Sequence, residues 1–235
     1  MNKTAFISGA SRGIGKAIAE AFAAQGYDLI LTCIQNIDTL NELANTLSAK
    51  YPIACRTYRA DMGSFEEVQK VFAEITHLDV LINNAGISYV GLLNDMTPEQ
   101  WHKVMHTNLD SCFYTAKLAI PLMLQNHSGR IINISSVWGN VGASMEVAYS
   151  ASKGGMNSFT KSLAKELAPI IQSYITDETK GYLEPFVGGA NMIDKIKCEN
   201  KFGCDIHEEL IELLKYVQNL DNVLPQNITE DEYNK

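Results

Sequence analysis

Tyr149 and Lys153 stand four residues apart in the stretch AYSASK, at the start of a predicted helix. Residues with this spacing lie on one face of a helix, so the lysine ammonium group can approach the tyrosine phenol. A free tyrosine has a pKa near ~10 and is a poor acid at neutral pH, but a neighbouring cation lowers that pKa. The pair is therefore suited to acid–base catalysis. The same spacing also occurs on ordinary helix surfaces.

A glycine-rich turn, SGASRGIG, follows the first predicted strand and carries Gly9, Gly13 and Gly15. Such glycines permit a tight turn and the close approach of a pyrophosphate, whose charge the following helix N-terminus favours. From Leu31 to Asn36 there is no carboxylate to bind a ribose hydroxyl, whereas Arg12 offers a cation for a 2′-phosphate. We therefore predict NADP(H) rather than NAD(H) as cofactor. The alternative is that Arg12 is a solvated loop residue.

Apolar, strand-like runs alternate with helical patterns through the first 169 residues. The runs are TAFIS, DLILT, IACRTYRA, DVLINN and RIINISS. This order predicts a parallel sheet covered by helices on both faces, which is a Rossmann-like, doubly wound α/β fold. Ser64 with Glu67 and Thr97 with Gln100 have the spacing of helix capping boxes.

The composition is that of a globular protein, with 46% hydrophobic and 20% charged residues. The first residues, MNKTAFISGASRG, lack the long apolar run of a secretion signal, so a cytoplasmic location is expected. The five cysteines form no CxxC pair, which favours reduced thiols over disulfides or zinc. His102 and His106 lie one helical turn apart without an evident third ligand, so no metal is expected.

The negative charge is concentrated at one end of the chain. The net charge is -8, and residues 170–235 hold 6 Lys and Arg against 13 Asp and Glu. No arginine follows Arg130. An acidic surface of this kind repels a phosphate backbone, so nucleic acid is not expected as a partner. No membrane partner is expected either.

Further motifs join the glycine turn and the Tyr149–Lys153 pair: ADM at 60–62, NNAG at 83–86, HTNLD around Asn108 and ISSVWG around Ser136. Together they make residues 1–169 resemble the short-chain dehydrogenases/reductases, especially 3-oxoacyl-[acyl-carrier-protein] reductases. The resemblance implies that NADPH reduces the carbonyl of a small or acyl-carrier-bound substrate, such as a 3-oxoacyl thioester, to a hydroxyl.

The resemblance also implies the roles of individual residues. Tyr149 would donate the proton, Ser136 would hold the carbonyl, and Lys153 would bind the nicotinamide ribose and lower the Tyr149 pKa. Asn108 would anchor a water that relays protons to Lys153. Ser135 is the alternative to Ser136. Besides Tyr149 and Lys153, the implied cofactor-binding residues are Gly9, Ser11, Arg12, Gly13, Ile14, Gly15, Asp61, Met62, Asn83, Ala85 and Gly86.

From about residue 170 the chain resembles a different family, the DNA adenine-N6 methyltransferases of the DNA adenine methylase type. EPFVGGAN looks like their S-adenosylmethionine loop, and Asp205 matches their ribose ligand. No DPPY or NPPY motif is present, so methyl transfer is not expected. The two resemblances divide the chain into a reductase domain at 1–169, incomplete at its C-terminus, and a partial methyltransferase-like segment at 170–235. The junction is expected between Ala164 and Ile171.

This ending brings a β-α-β-α pattern of its own: GYLEPFV, NMIDKI, KFGCDI and HEELIELLKYVQ. We predict that GYLEPFV pairs beside RIINISS and places Gly188 and Gly189 near the nicotinamide end of the cofactor. Activity is expected to be impaired, because the reductases' own sixth-strand region is missing. The alternatives are a fragment that binds S-adenosylmethionine without catalysis, and an inactive nucleotide-binding fusion. The segment from Trp101 to Leu124 packs either against a partner subunit, which would give a homo-oligomer, or within the monomer.

Overall fold

Five parallel strands and their connecting helices form the first part of the protein in a computed structural model that describes residues 2–173, 181–185 and 200–204. The chain divides into two compact units, Met1–Leu163 and Ala164–Lys235. The strands of the first unit are β1 Thr4–Ile7, β2 Asp28–Cys33, β3 Cys55–Arg59, β4 Val80–Asn83 and β5 Arg130–Asn133. The helices are α1 Gly13–Ala24, α2 Ile37–Lys50, α3 Phe65–Phe72, α4 Pro98–Met105, α5 Ser111–Gln125, α6 Trp138–Val141 and α7 Val147–Ser173, the last of which continues past the unit boundary.

The strand order in the sheet is β3-β2-β1-β4-β5. In the central register, Phe6 of β1 lies opposite Ile30 of β2 and Leu81 of β4. The chain order reverses between β1 and β4, and in open parallel sheets the crevice for a ligand opens beyond the carboxyl ends of the strands at this point. The predicted Rossmann-like, doubly wound α/β fold class is confirmed.

Both faces of the central strand β1 are buried, whereas the edge strand β5 leaves Ile132 40% exposed. Ala5 and Ile7 of β1 belong to the apolar core formed with α1 and α2, and both are 0% exposed. Phe6 between them belongs to the opposite core, formed with α3 and α5, where its ring lies 5.1 Å from that of Phe72. Alternate residues of one strand therefore fill two separate cores.

The helix starts follow the capping signals in part. Thr97 and Gln100 form the full capping box at α4. At α3 the Ser64 hydroxyl accepts from the Glu67 N–H, but the Glu67 carboxylate accepts from the backbone N–H of Asp61 instead of from Ser64. A π-helical turn, His106–Asp110, joins α4 to α5 in one continuous helical stretch. Among the described helices, none is both long enough and apolar enough to cross a lipid bilayer.

The second unit contains two of the strands that the sequence predicts. β6 Gly181–Pro185 and β7 Asn200–Cys204 pair in parallel as a two-stranded sheet. The predicted ladder between GYLEPFV and β5 is therefore wrong for the described strands, since β5 pairs with β4 only. Pro185 lacks an N–H, so β6 cannot donate to a second ladder at that position.

The remaining expectations for the ending lie outside the described residues. They concern the helices NMIDKI and HEELIELLKYVQ, the glycines Gly188 and Gly189, and Asp205.

Candidate active site

The turn between β1 and α1 requires its glycines for two different reasons. Gly9 and Gly13 have φ of 66° and 57°, in the left-handed region that suits glycine. At Gly15 a Cβ would lie 2.3 Å from the Gly9 carbonyl oxygen and 2.5 Å from Asn84 Nδ2, so no side chain fits there. Arg12 precedes α1 in extended conformation and is exposed. The backbone therefore bends tightly around the helix N-terminus, as a pyrophosphate site requires.

This glycine turn is tied to the loop after β4. Asn84 Nδ2 donates to the carbonyl oxygens of Ser8 and Gly9 at 2.9 and 3.1 Å. The backbone N–H groups of Asn84 and Ala85 both donate to the Ser8 hydroxyl at 3.0 Å. The two loops at the switch point are thus a single hydrogen-bonded unit. Sequence reasoning missed Ser8 and Asn84, which stand next to Gly9 and inside NNAG.

The side chain of Asn83, the first residue of NNAG, makes its hydrogen bonds within the protein interior. It is 3% exposed, and its Nδ2 donates to Asn133 Oδ1 at 2.8 Å. Its Oδ1 accepts from the Thr115 hydroxyl, also at 2.8 Å. The side chain therefore fastens β4 to β5 and α5, and the Asn83 carbonyl oxygen accepts from the Ile134 N–H at 2.9 Å. Met62 is likewise buried in the core at 4% exposure.

Asp61 follows β3 and is half-buried. Its Oδ1 accepts from the Gly63 N–H at 2.8 Å, which leaves Oδ2 without a hydrogen bond from the described residues. Ser11 is half-buried in the glycine turn. Both residues lie on loops that follow the carboxyl ends of strands, which is where the sequence places the cofactor.

Asn108 is fully buried at the centre of the π-helical turn, an irregularity that often marks functional sites. Its Oδ1 accepts from the Ile87 N–H at 2.8 Å, and its Nδ2 donates to the Ile87 carbonyl and to the Ser152 hydroxyl at 2.9 Å each. A Cβ on Gly86 would lie 3.3 Å from Asn108 Oδ1 and 3.6 Å from Lys153 Nζ. Three separate chain segments therefore meet at Gly86.

Lys153 is 3% exposed in α7, and its Nζ donates to the Ile134 carbonyl oxygen at 2.6 Å. The same Nζ lies 5.7 Å from the centre of the Tyr149 ring, so the four-residue spacing does bring the two groups together. Burial lowers the Lys153 pKa, and the nearby Cys112 acts in the opposite direction. Burial raises the pKa of the Cys112 thiol to about 11, and the charge of Lys153 partly opposes this rise.

The two serines after β5 have different partners. The Ser135 hydroxyl donates to the Lys153 carbonyl oxygen at 3.4 Å, while the Ser136 hydroxyl accepts from the Trp138 N–H at 3.2 Å. Helix α6 packs directly on α7, since a Cβ on Gly139 would lie 2.8 Å from the Lys153 carbonyl carbon. This close approach closes the site on the α6 side.

These segments enclose a cleft of about 420 Å³. Five of the predicted site residues line it: Ile14, Gly86, Ser136, Tyr149 and Lys153. Ser135, the alternative to Ser136, also lines it, together with Asn84, Ile87, Ser88, Ile134, Trp138 and Glu146, to which the sequence assigns no role in the site. The remaining predicted site residues do not line this cleft. The glycine turn and the Tyr149–Lys153 pair thus open onto one space.

Comparison with known proteins gives the family. The model of short chain dehydrogenases matches residues 3–175. The chain belongs to this family. A second model, that of D12 class N6 adenine-specific DNA methyltransferases, matches residues 165–235, so the two matches share residues 165–175. The resemblance to two families, including the switch from one to the other near residue 170, is confirmed.

Individual relatives agree with the first match. An uncharacterized oxidoreductase of Bacillus subtilis, YmfI, is 40% identical over 170 residues, which cover 72% of this chain and 70% of the relative. The 3-oxoacyl-[acyl-carrier-protein] reductase FabG of Escherichia coli is 40% identical over 167 residues, covering 71% of this chain and 68% of the relative. The crystal structure of a metagenomic short-chain oxidoreductase in complex with NADP has a TM-score of 0.67 at 31% identity, covering 72% of this chain and 77% of that one.

Proposed function

We propose that this short-chain dehydrogenase reduces a carbonyl group to a hydroxyl with NADPH. The observation that carries the proposal is the cleft itself, which joins Ile14 of the glycine turn to Ser136, Tyr149 and Lys153. Cofactor and substrate could therefore meet beside a phenol and an ammonium group.

The residues of the glycine turn fit a dinucleotide. The left-handed Gly9 and Gly13, the open surroundings of Gly13 and the exposed Arg12 together suit a pyrophosphate and a 2′-phosphate. The NADP in the related metagenomic oxidoreductase supports this choice of cofactor. Asp61, with one carboxylate oxygen free of described partners, would contact the adenine. When bound, NADPH supplies the hydride.

Tyr149 acts as the proton donor to the carbonyl oxygen in this proposal. The Lys153 ammonium group near its ring stabilises the phenolate that remains. Ser136 is better suited than Ser135 to hold the carbonyl, because the Ser135 hydrogen is directed to the Lys153 carbonyl oxygen. The Asn108 side chain is fully used in holding Ile87 and Ser152, so it positions the loop after β4 around Lys153.

Similarity to the 3-oxoacyl-[acyl-carrier-protein] reductases makes a 3-oxoacyl thioester the first substrate to try. We also propose that residues 1–169 form the NADP(H)-binding reductase domain. The protein is further proposed to be cytoplasmic and to form a homo-oligomer. Because the sequence switches families near residue 170, we expect turnover well below that of a complete reductase.

The methyltransferase match at 165–235 supports a second candidate function, which is binding of S-adenosylmethionine without catalysis. A thermal-shift comparison of NADPH, NADH and S-adenosylmethionine on the full chain separates the possibilities. We expect the largest shift with NADPH and oxidation of NADPH when acetoacetyl thioester is added. A shift with S-adenosylmethionine alone would support the second candidate, and no shift with any of the three would support an inactive fusion.

A further inference from the structure

Glu146 brings a negative charge to the proposed active site. It is the one carboxylate among the described residues that line the cleft, and it stands three residues before Tyr149. Its carbonyl oxygen already accepts from the Ser150 N–H at 2.9 Å, so Glu146 stands at the first turn of α7. Glu146 and Tyr149 therefore line the same cleft, in which the carbonyl would react.

No described side chain neutralises this carboxylate. The ion pairs within the described residues involve Glu20, Asp79 and Asp110, not Glu146. The cation that lines the cleft, Lys153, is directed to the Ile134 carbonyl oxygen. A half-buried carboxylate without a partner in the protein is available to a cation or hydrogen-bond donor on a bound molecule.

The backbone directly before Glu146 is strained. Met145, directly before it, has φ of 63°, a conformation that non-glycine residues rarely adopt. The Met145 carbonyl oxygen accepts from the Gly91 N–H at 2.9 Å, which ties this turn to the loop after β4. Strain of this kind persists where surrounding contacts enforce it, and it is concentrated at functional sites.

An aromatic ring accompanies the carboxylate. Trp138 lines the same cleft at the start of α6 and remains 40% exposed. Tryptophan offers the best aromatic face for a cation, and a carboxylate together with an aromatic face is a combination that binds an ammonium group. A substrate with a negative charge would instead meet the repulsion of Glu146.

We propose that the cleft selects ketones that carry a positively charged amine, with Glu146 binding the ammonium group and Trp138 contacting it. This inference rests on the proposed carbonyl reduction and names its substrate class. A neutral 3-oxoacyl thioester enters the same cleft without the ionic contact. Its kcat/KM is therefore lower than that of an amine-bearing ketone of equal size.

Two ketones of matched shape test the charge alone: 4-(dimethylamino)butan-2-one, which is protonated at neutral pH, and its carbon analogue 5-methylhexan-2-one. In the whole chain we expect a kcat/KM at least about tenfold higher for the amine, as one charge-assisted contact provides. Glu146→Gln should remove this preference, and Glu146→Asp should restore much of it. Glu66→Gln, an equal charge change on the exposed face of α3, is the control.

Binding is measured in parallel, by titrating each ketone into the protein saturated with NADP⁺. The amine should bind more tightly than the neutral ketone to the wild type and equally to Glu146→Gln. A purely structural role of Glu146 at the start of α7 would change stability but not this ratio. Equal affinity for both ketones in the wild type, or a preference that survives Glu146→Gln, would overturn the inference. Failure to bind NADPH would instead overturn the proposed function.

Discussion

The Lys153 ammonium group donates a 2.6 Å hydrogen bond to the backbone carbonyl oxygen of Ile134. This bond joins α7, which carries Tyr149, to the segment directly after β5, which leads to Ser135 and Ser136. The buried Lys153 ammonium group therefore fixes the distance between Tyr149 on α7 and the two serines after β5.

Replacing Lys153 should impair both binding and catalysis. Lys153→Met keeps most of the buried volume but leaves the Ile134 carbonyl oxygen unpaired and removes the charge near the Tyr149 ring. We expect at least about tenfold weaker NADPH binding, equal to about 1.4 kcal/mol, and loss of measurable turnover. Isothermal titration and NADPH oxidation measure the two effects. Wild-type affinity for NADPH in the variant would contradict the role in cofactor binding.

Tyr149→Phe should separate catalysis from binding. The substitution removes only the hydroxyl that donates the proton, and the ring near Lys153 remains. NADPH oxidation with acetoacetyl thioester is expected to fall by at least about a hundredfold, the usual contribution of a general acid, while the Kd for NADPH changes little. Tyr27→Phe, at a tyrosine packed against Phe22 away from the cleft, is the matched control. Unchanged turnover in Tyr149→Phe would refute the assigned proton donor.

Arg12 should decide between the two nicotinamide cofactors. Its guanidinium is exposed beside the glycine turn, where it can pair with a 2′-phosphate that NADH lacks. We expect wild-type protein to bind NADPH more tightly than NADH, and Arg12→Ala to abolish the difference by weakening NADPH binding alone. Arg130→Ala, at an exposed arginine on β5, controls for the loss of charge. If NADH binds the wild type as tightly as NADPH does, Arg12 has no such role.

The free energy of unfolding should decrease at alkaline pH because of Cys112. Its folded pKa of about 11 exceeds the ordinary value of 9.0, so the unfolded state loses its proton first. Its contribution to the free energy of unfolding is therefore complete below pH 9 and declines as pH rises toward 11. At pH 10 the loss is about 1.4 kcal/mol, and it should be absent in Cys112→Ala. Urea unfolding of both proteins at pH 8, 9 and 10 tests this, and parallel pH profiles would contradict it.

Two glycines of the cofactor turn should respond differently to alanine. At Gly15 the new Cβ would meet the Gly9 carbonyl and the Asn84 side chain, so the bonds between the two loops must break. We expect Gly15→Ala to abolish NADPH binding and to destabilise the protein by several kcal/mol, as other strained close contacts do. At Gly13 nothing lies within 4 Å, and the positive φ alone should cost about 1 kcal/mol. If Gly15→Ala and Gly13→Ala weaken NADPH binding equally, close packing is not the reason that position 15 requires glycine.

The features that the sequence predicts correctly depend on neighbours along the chain. Alternation of apolar runs with helical patterns is sufficient for the parallel α/β class, because each strand needs two covered faces. The spacing of Tyr149 and Lys153 is likewise a local feature, because an α-helix places residues four apart on one face. The glycine turn is recognisable for the same reason, since a positive φ restricts one residue at a time.

Contacts between distant segments could not be predicted in this way. Asn83 and Asn84 are adjacent and chemically identical, yet only tertiary packing directs the first toward Asn133 and the second toward the glycine turn. The sequence predicts no role for Glu146 or Trp138, and they become part of the site only because α6 packs on α7 at Gly139. The pairing of β6 with β7 instead of β5 is similarly nonlocal. A strand's own residues specify that it pairs, whereas its partner depends on segments that are distant in the sequence.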